Sequence, residues 1–167
     1  MIPLLLAIAA TVPGATGLDN VRFSNIRFDT AQNWTVVQSA PQMILRSTSD
    51  GIKAATKITI EPATPFSGTI EQGLDAAWAK ALSGRSPRDE VSREEPQEIE
   101  VGGVVATIGA RVPPAGGVLV VVVKAGAKLT TLTFTADTDV AYGLGLLLSR
   151  PIVISLEVVP DLSLIHI

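Results

Sequence analysis

Six consecutive apolar residues at positions 118–123 (VLVVVV) constrain the fold of this chain more than any other feature of its sequence. The run is too short to cross a bilayer as a helix, and its β-branched composition is typical of a strand. Because no polar residue alternates with the apolar ones, neither face of this strand is suited to water. The sequence therefore predicts a central strand that is buried on both faces.

Shorter strands are predicted on both sides of this run. Residues 57–61 alternate apolar and polar side chains and end at Pro62, and residues 131–136 alternate in the same way. Residues 35–37 and 43–45 are typical of a hairpin, and a further strand region covers residues 21–28. Gly102-Gly103 is the kind of dipeptide that a two-residue hairpin turn requires. An antiparallel sheet is expected.

A first helix is predicted to begin after Thr69. Thr69 and Gln72 have the spacing of a capping box, in which each side chain bonds the backbone N–H of the other residue. Apolar residues then recur at helical spacing, and Ser83-Gly84 supplies the end; the apolar stripe comprises Ile70, Leu74, Ala77, Trp78, Ala81 and Leu82. We expect this helix to cover one face of the sheet.

A second helix is predicted to follow Asp137 or Thr138, either of which can cap it. Its apolar positions are Val140, Tyr142, Leu144, Leu147 and Leu148, and Pro151 is expected to end it. Residues 152–159 then predict a last strand. The order of strands, helix, strands, helix and strand predicts an α+β fold, with a twisted antiparallel sheet and helices packed on it.

Both ends of the sequence differ in character from the middle. Residues 2–12 are apolar and uncharged, Pro13-Gly14 follows, and residues 15–17 are small, which is the pattern of a signal peptide over residues 1–17. A buried first strand is the alternative. Residues 162–167 (LSLIHI) resemble a translated sequencing adapter and are expected to be a non-native tail. The prediction is one domain over residues 18–161, cut short at its C-terminal end if the natural chain continues.

Composition excludes several classes of function. The chain has no cysteine, and its one histidine, His166, lies in the suspected tail, so zinc sites, thiol nucleophiles and Ser-His-Asp triads are not expected. The net charge is −3, and the basic residues are scattered and do not form the clustered patch that binds nucleic acid. No phosphate-binding glycine loop is found, and the mature chain has no run long enough to span a membrane. We expect no cofactor.

Two sets of residues are candidates for a ligand or partner surface. Acidic residues cluster at Asp89, Glu90, Glu94, Glu95, Glu98 and Glu100, where a pair of them suits acid–base chemistry or Ca²⁺, although interleaved arginines favour a solvated loop. Of these, Asp89, Glu90, Glu94 and Glu95 are the candidates for the surface. Trp34 suits either a ligand pocket or core packing. Residues 137–139 (DTD) also offer oxygen ligands for calcium, but helix capping explains them more simply.

The order of elements resembles a known family. The features that carry the resemblance are Phe28 and Trp34 at the first hairpin, the strand that ends at Pro62, the helix with Leu74 and Trp78, the valine strand, and Phe134 leading to Tyr142. In these the chain is similar to the PsbP-like α/β/α sandwich proteins, which include the PsbP, Mog, LpqN and DcrB types. The resemblance covers most of residues 26–155. It implies a non-enzymatic module that is often secreted or associated with the cell envelope.

Three hypotheses of function follow from these features. The first is an exported (periplasmic or extracellular), non-catalytic binding or assembly module that contacts a protein or an envelope component by its surface. The second is a secreted protein that binds a small ligand or a cation. The third, least favoured, is a hydrolase that uses carboxylates alone.

Overall fold

The computed structural model describes residues 19–30, 33–49, 56–82, 92–93, 97–101, 104–112 and 117–159. The predicted signal peptide and the predicted non-native tail both lie outside these ranges. The described helices are α1 (Ile70–Ala81) and α2 (Asp139–Ile154). The described strands are β1 (Asp19–Phe23), β2 (Ile26–Thr30), β3 (Trp34–Gln38), β4 (Met43–Ser47), β5 (Thr56–Ile60), β6 (Thr64–Pro65), β7 (Ser92–Arg93), β8 (Gln97–Val101), β9 (Val104–Val112), β10 (Val118–Ala125), β11 (Lys128–Ala136) and β12 (Glu157–Val158).

The main sheet is antiparallel and has the strand order β3-β4-β5-β11-β10-β9-β7, with β6 beside β11 and β8 beside β9. The predicted hairpin of β3 and β4 and the pairing of β8 with β9 across residues 102–103 are both present. Strand β5 ends immediately before Glu61-Pro62, as the proline predicts. The predicted α+β class with an antiparallel sheet is confirmed.

The valine run occupies the interior of this sheet. Strand β10 pairs with β9 on one side and with β11 on the other, and residues 118–123 are all buried. Val118, Val120 and Val122 face the α1 side, where they cluster with Leu74. The alternate residues Leu119, Val121 and Val123 join the larger core on the opposite face. The prediction of a strand buried on both faces is confirmed.

Helix α1 covers the first face of the sheet. Its capping box is formed as predicted: the Gln72 N–H donates to the Thr69 hydroxyl at 3.2 Å, and the Thr69 N–H donates to the Gln72 side-chain oxygen at 2.9 Å. Leu74 is fully buried, while Ile70, Ala77, Trp78 and Ala81 pack around it with part of their surfaces exposed. Trp78 is therefore a packing residue at the border of this core.

A second layer covers the other face of the sheet. It consists of α2 and of a small antiparallel sheet in the order β1-β2-β12. The turn between β1 and β2 is bonded to the main sheet, because the Thr130 hydroxyl donates to the Asn25 side-chain oxygen at 2.6 Å and the Ala63 N–H donates to the Ser24 hydroxyl at 3.0 Å. The Val159 N–H donates to the Asn25 carbonyl at 2.8 Å. The fold is thus a sandwich of α1, the main sheet, and a mixed outer layer.

The prediction that Pro151 ends the second helix is wrong. Helix α2 continues through Pro151 to Ile154, and the Ser155 N–H donates to the Pro151 carbonyl at 3.1 Å. The predicted last strand over residues 152–159 is correspondingly wrong, since only Glu157–Val158 is a strand. A proline inside a helix costs roughly 3 kcal/mol. Continuing the helix buries Ile152 to 1% exposure, and Leu156 to 5% just beyond it, which offsets this cost.

Gly145 and Gly143 form a matched pair for testing how α2 packs. A Cβ at Gly145 would lie 2.5 Å from Cζ of Phe134, whereas a Cβ at Gly143 would meet nothing within 4 Å. The Phe134 ring cannot yield easily because it is 3% exposed and in contact with the rings of Trp34 and Tyr142. We expect Gly145→Ala to lower the free energy of unfolding by about 1–3 kcal/mol. Gly143→Ala should raise it by up to about 1 kcal/mol.

Denaturant titration of the two alanine variants at low protein concentration tests this packing. Equal effects of the two substitutions would contradict the orientation of α2 described above.

The buried phenol of Tyr142 makes stability depend on alkaline pH. Burial raises the pKa of Tyr142 above its ordinary value, and its side chain is the only phenol in the chain. The unfolded chain releases this proton near pH 10 whereas the folded chain retains it, so the folded state loses stability as pH rises above about 10. Denaturant midpoints measured from about pH 9 to 11.5 should fall more steeply in the wild type than in Tyr142→Phe. Parallel slopes would show that the phenol titrates normally in the folded chain.

Candidate functional site

The structure places the residues predicted as a ligand or partner surface in two different situations. Trp34 is 4% exposed, and its ring meets that of Phe134 in an edge-to-face contact with centroids 6.3 Å apart. Trp34 is therefore a core-packing residue and does not line a surface pocket. Asp89, Glu90, Glu94 and Glu95 lie outside the described residues. The acidic loop therefore stays a prediction.

The residues around the start of α2 act as a helix cap. The Ala141 N–H donates to the Thr138 hydroxyl at 3.1 Å, and the Tyr142 N–H donates to the Thr138 carbonyl at 2.8 Å. Thr138 is thus the capping residue of the two that were predicted. In the part of the chain that the structure describes, no group of three or more His, Cys, Asp or Glu side chains could hold a metal ion.

Helix α2 turns a face of small and buried residues to the sheet. Ala141, Tyr142, Gly145, Ser149 and Ile152 are all buried. Gly145 lies directly over the Phe134 ring, which contacts Tyr142 with centroids 5.8 Å apart. These residues lie on one side of a helical wheel, and this side is the face of α2 that packs against the core.

The opposite face of α2 is apolar and open to solvent. Val140 is 72% exposed, Leu144 48% and Leu147 64%, and Pro151 and Ile154 on the same side are half-buried. We call the five residues Val140, Leu144, Leu147, Pro151 and Ile154 the α2 outer stripe. Their successive spacings of four, three, four and three residues are those of the a and d positions of a heptad. A helix that is apolar on all sides ordinarily has a partner on each side.

Three of the apolar positions of the second helix are therefore corrected by the structure. The predicted apolar set is Val140, Tyr142, Leu144, Leu147 and Leu148. Tyr142 faces the core, whereas Val140, Leu144 and Leu147 are exposed, and the side chain of Leu148 lies outside the described part of the chain. Small residues such as Ala141 and Gly145 occupy the inner face instead, because the helix lies close over Phe134. The regular four-three spacing of the large residues was the sequence signal for a separate exposed stripe.

Among the side chains that the structure describes, the charges near the α2 outer stripe lie at its two ends; the side chain of Arg150 is outside that set. Asp137 and Asp139 are exposed at the N-terminal end of the helix. At the other end, the Arg27 Nε donates to a carboxylate oxygen of Glu157 at 3.0 Å, and this pair is partly exposed. None of the five stripe residues is charged. The α2 outer stripe therefore has two carboxylates at its N-terminal end and an ion pair, whose charges cancel, near its C-terminal end.

A smaller apolar surface lies on the edge strand β3. Val36 is 36% exposed and Val37 is 55% exposed, and the pairing with β4 shifts register between Val36 and Gln38. Such a bulge disrupts the ladder at a sheet edge and discourages pairing with a further strand. We therefore treat the α2 outer stripe, and not β3, as the candidate functional site.

The arrangement on α2 supports contact and not catalysis. The stripe offers apolar side chains without a nucleophile, acid or base among them. Within the described ranges, neither helix has the length and apolar content needed to span a bilayer.

Comparison with known proteins relates the chain to several solved structures, of which two are informative for the fold. No protein-family model and no curated protein matches it. The Ran-binding protein Mog1p of Saccharomyces cerevisiae is similar at 10% identity and a TM-score of 0.51, over 88% of this chain and 98% of that one. The cyanobacterial PsbP (CyanoP) of Synechocystis is similar at 15% identity and a TM-score of 0.50, over 90% and 97%. The chain therefore has the fold of PsbP and Mog1p, the PsbP-like α/β/α sandwich.

Proposed function

We propose that this chain is an exported, non-catalytic binding module that acts by surface contact with a protein, and that the α2 outer stripe is its contact surface. The observation that carries the proposal is the exposure of Val140, Leu144 and Leu147 in one uncharged row. A contiguous apolar surface on an otherwise well-packed domain is typical of an interaction site. Burying a Val or Leu side chain contributes about 1.5–3 kcal/mol, so the row is a substantial source of binding energy.

The fold agrees with this role. One structural neighbour is described as Ran-binding and the other is a PsbP protein, and neither description names an enzymatic reaction. Since one fold supports many functions, the proposal rests on the α2 surface and takes only general support from the neighbours.

Export is supported by the pattern of residues 1–17, in which an apolar stretch precedes small residues. We expect a reporter enzyme that is active only outside the cytoplasm to be active when fused after residue 17. Replacing two residues of the apolar stretch with charge, as in Leu5→Arg with Ile8→Arg, should abolish reporter activity because a charged stretch is not recognised for export. A fusion with equal activity before and after the substitutions would contradict export by this segment.

Contact through the α2 outer stripe can be tested by site-specific photo-crosslinking in the cells from which the gene comes. A photoreactive amino acid at position 147 should give a discrete cross-linked protein, identifiable by mass spectrometry. The same amino acid at Ala79, which is exposed on α1, should give none. Leu144→Glu should remove the product at position 147, because a charge in the row opposes burial. Indistinguishable products from positions 147 and 79 would refute the proposed surface.

A further inference from the structure

We propose that the partner of the α2 outer stripe is the same stripe on a second copy of this chain, bound antiparallel about a twofold axis. This inference rests on the proposed function, because it names the partner of the same surface. It is carried by the spacing of the stripe, by an exposed glycine beside the stripe, and by the distribution of the described charges at its ends.

The spacing of the stripe is complementary to itself. In an antiparallel pair of helices, a residue at an a position packs against a d position of the other helix. With Val140, Leu147 and Ile154 at d positions and Leu144 and Pro151 at a positions, one register pairs four of the five stripe residues and places Ile154 opposite Asp137 of the second copy. Leu144 then meets Leu147 of the second copy, and Val140 meets Pro151 of the second copy. A symmetric contact of this kind closes with two copies and leaves no open end.

Gly143 is not required by packing against any residue that the structure describes. It is exposed in the second turn of α2, and a Cβ at that position would meet nothing within 4 Å. A glycine there costs the helix about 1 kcal/mol relative to alanine. A small residue beside an apolar stripe allows a second helix to approach closely, so a helical partner explains this glycine.

The charges select the antiparallel orientation. Asp137 and Asp139 are both at the N-terminal end of α2, so a parallel pair would bring four carboxylates together. An antiparallel pair instead places this acidic end beside the end where Arg27 is paired with Glu157.

The size of the stripe sets the strength of the contact. One face of one helix buries on the order of a few hundred Å² per copy, which is below the roughly 800 Å² per partner of a standard stable interface. The dimer should therefore be transient, with a dissociation constant on the order of 100 µM.

Sedimentation equilibrium of the purified domain from about 10 µM to 1 mM tests the dimer. The wild type should pass from monomer to dimer over this range, and Leu144→Glu with Leu147→Glu should weaken association at least about tenfold. The control is Val37→Glu, which places one glutamate on an exposed valine of β3 and should leave association unchanged, whereas Leu144→Glu alone should already weaken it. Circular dichroism of each variant confirms that it is folded. A wild type that is monomeric throughout overturns the proposal, as does equal weakening by the control.

Disulfide trapping tests the register, since the natural sequence has no cysteine. A mixture of Leu144→Cys and Leu147→Cys chains should form a mixed disulfide, and so should a mixture of Val140→Cys and Pro151→Cys chains. Val140→Cys alone should not crosslink, because its antiparallel copy lies about 16 Å away along the helix axis. A Val140→Cys homodimer as the main product would overturn the antiparallel pair.

The two proposals fail in distinguishable ways. If the photo-crosslink from position 147 contains a different protein and the domain stays monomeric, the second copy is refuted while the contact surface stands. If position 147 gives no specific product and the domain stays monomeric, both are refuted. If neutral phospholipid vesicles bind the wild type and not the double variant while it stays monomeric, the stripe serves a lipid surface, and the second copy is again refuted.

Discussion

Burial of strand β10 on both faces is the constraint on which the rest of the structure depends. Its odd-numbered and even-numbered residues enter two separate cores, so the sheet needs a cover on each side. Helix α1 covers the smaller core around Leu74, and α2 with the small sheet covers the larger core around Phe134. Because a strand without polar alternation has no solvent face, removing either cover would expose a row of apolar side chains. The six apolar residues at positions 118–123 thus already require a covering layer on each face of the sheet.

Interactions between residues close in sequence made much of the fold predictable. The valine run, the capping box of Thr69 with Gln72 and the Gly102-Gly103 dipeptide each act within a few residues. The buried strand, the start of α1 and the pairing of β8 with β9 that they predict are all present. The orientation of α2 was harder to predict. Because apolar residues occur around most of this helix, hydrophobic periodicity does not identify the buried face. The continuation through Pro151 depends on burying Ile152 against distant parts of the chain. The pairing of β12 with β2 is likewise set by tertiary contacts that no local pattern reveals.

The candidate site illustrates the same limit of sequence reasoning. Sequence alone drew attention to an aromatic residue and an acidic cluster, because such residues often carry function. The structure directs attention to residues that look like ordinary core residues, Leu144 and Leu147, which become informative only because they are exposed. Exposure of a large side chain depends on which face of a helix is covered, and that depends on a glycine fitting over Phe134. An exposed apolar surface can therefore be identified from a structure even where the sequence alone does not distinguish it from the core.

The small sheet of β1, β2 and β12 has a consequence for how the protein is made. It joins the first described residues of the chain to nearly the last ones, through ladder bonds and the ion pair of Arg27 with Glu157. During synthesis the ribosome releases residues 19–30 well over a hundred residues before Glu157. The outer layer thus cannot close before Glu157 and Val158 have been synthesised, and until then the apolar side chains of β2 lack this neighbouring strand. Contacts this distant in sequence slow folding, so closure of the outer layer is expected to be among the last events in forming the native domain.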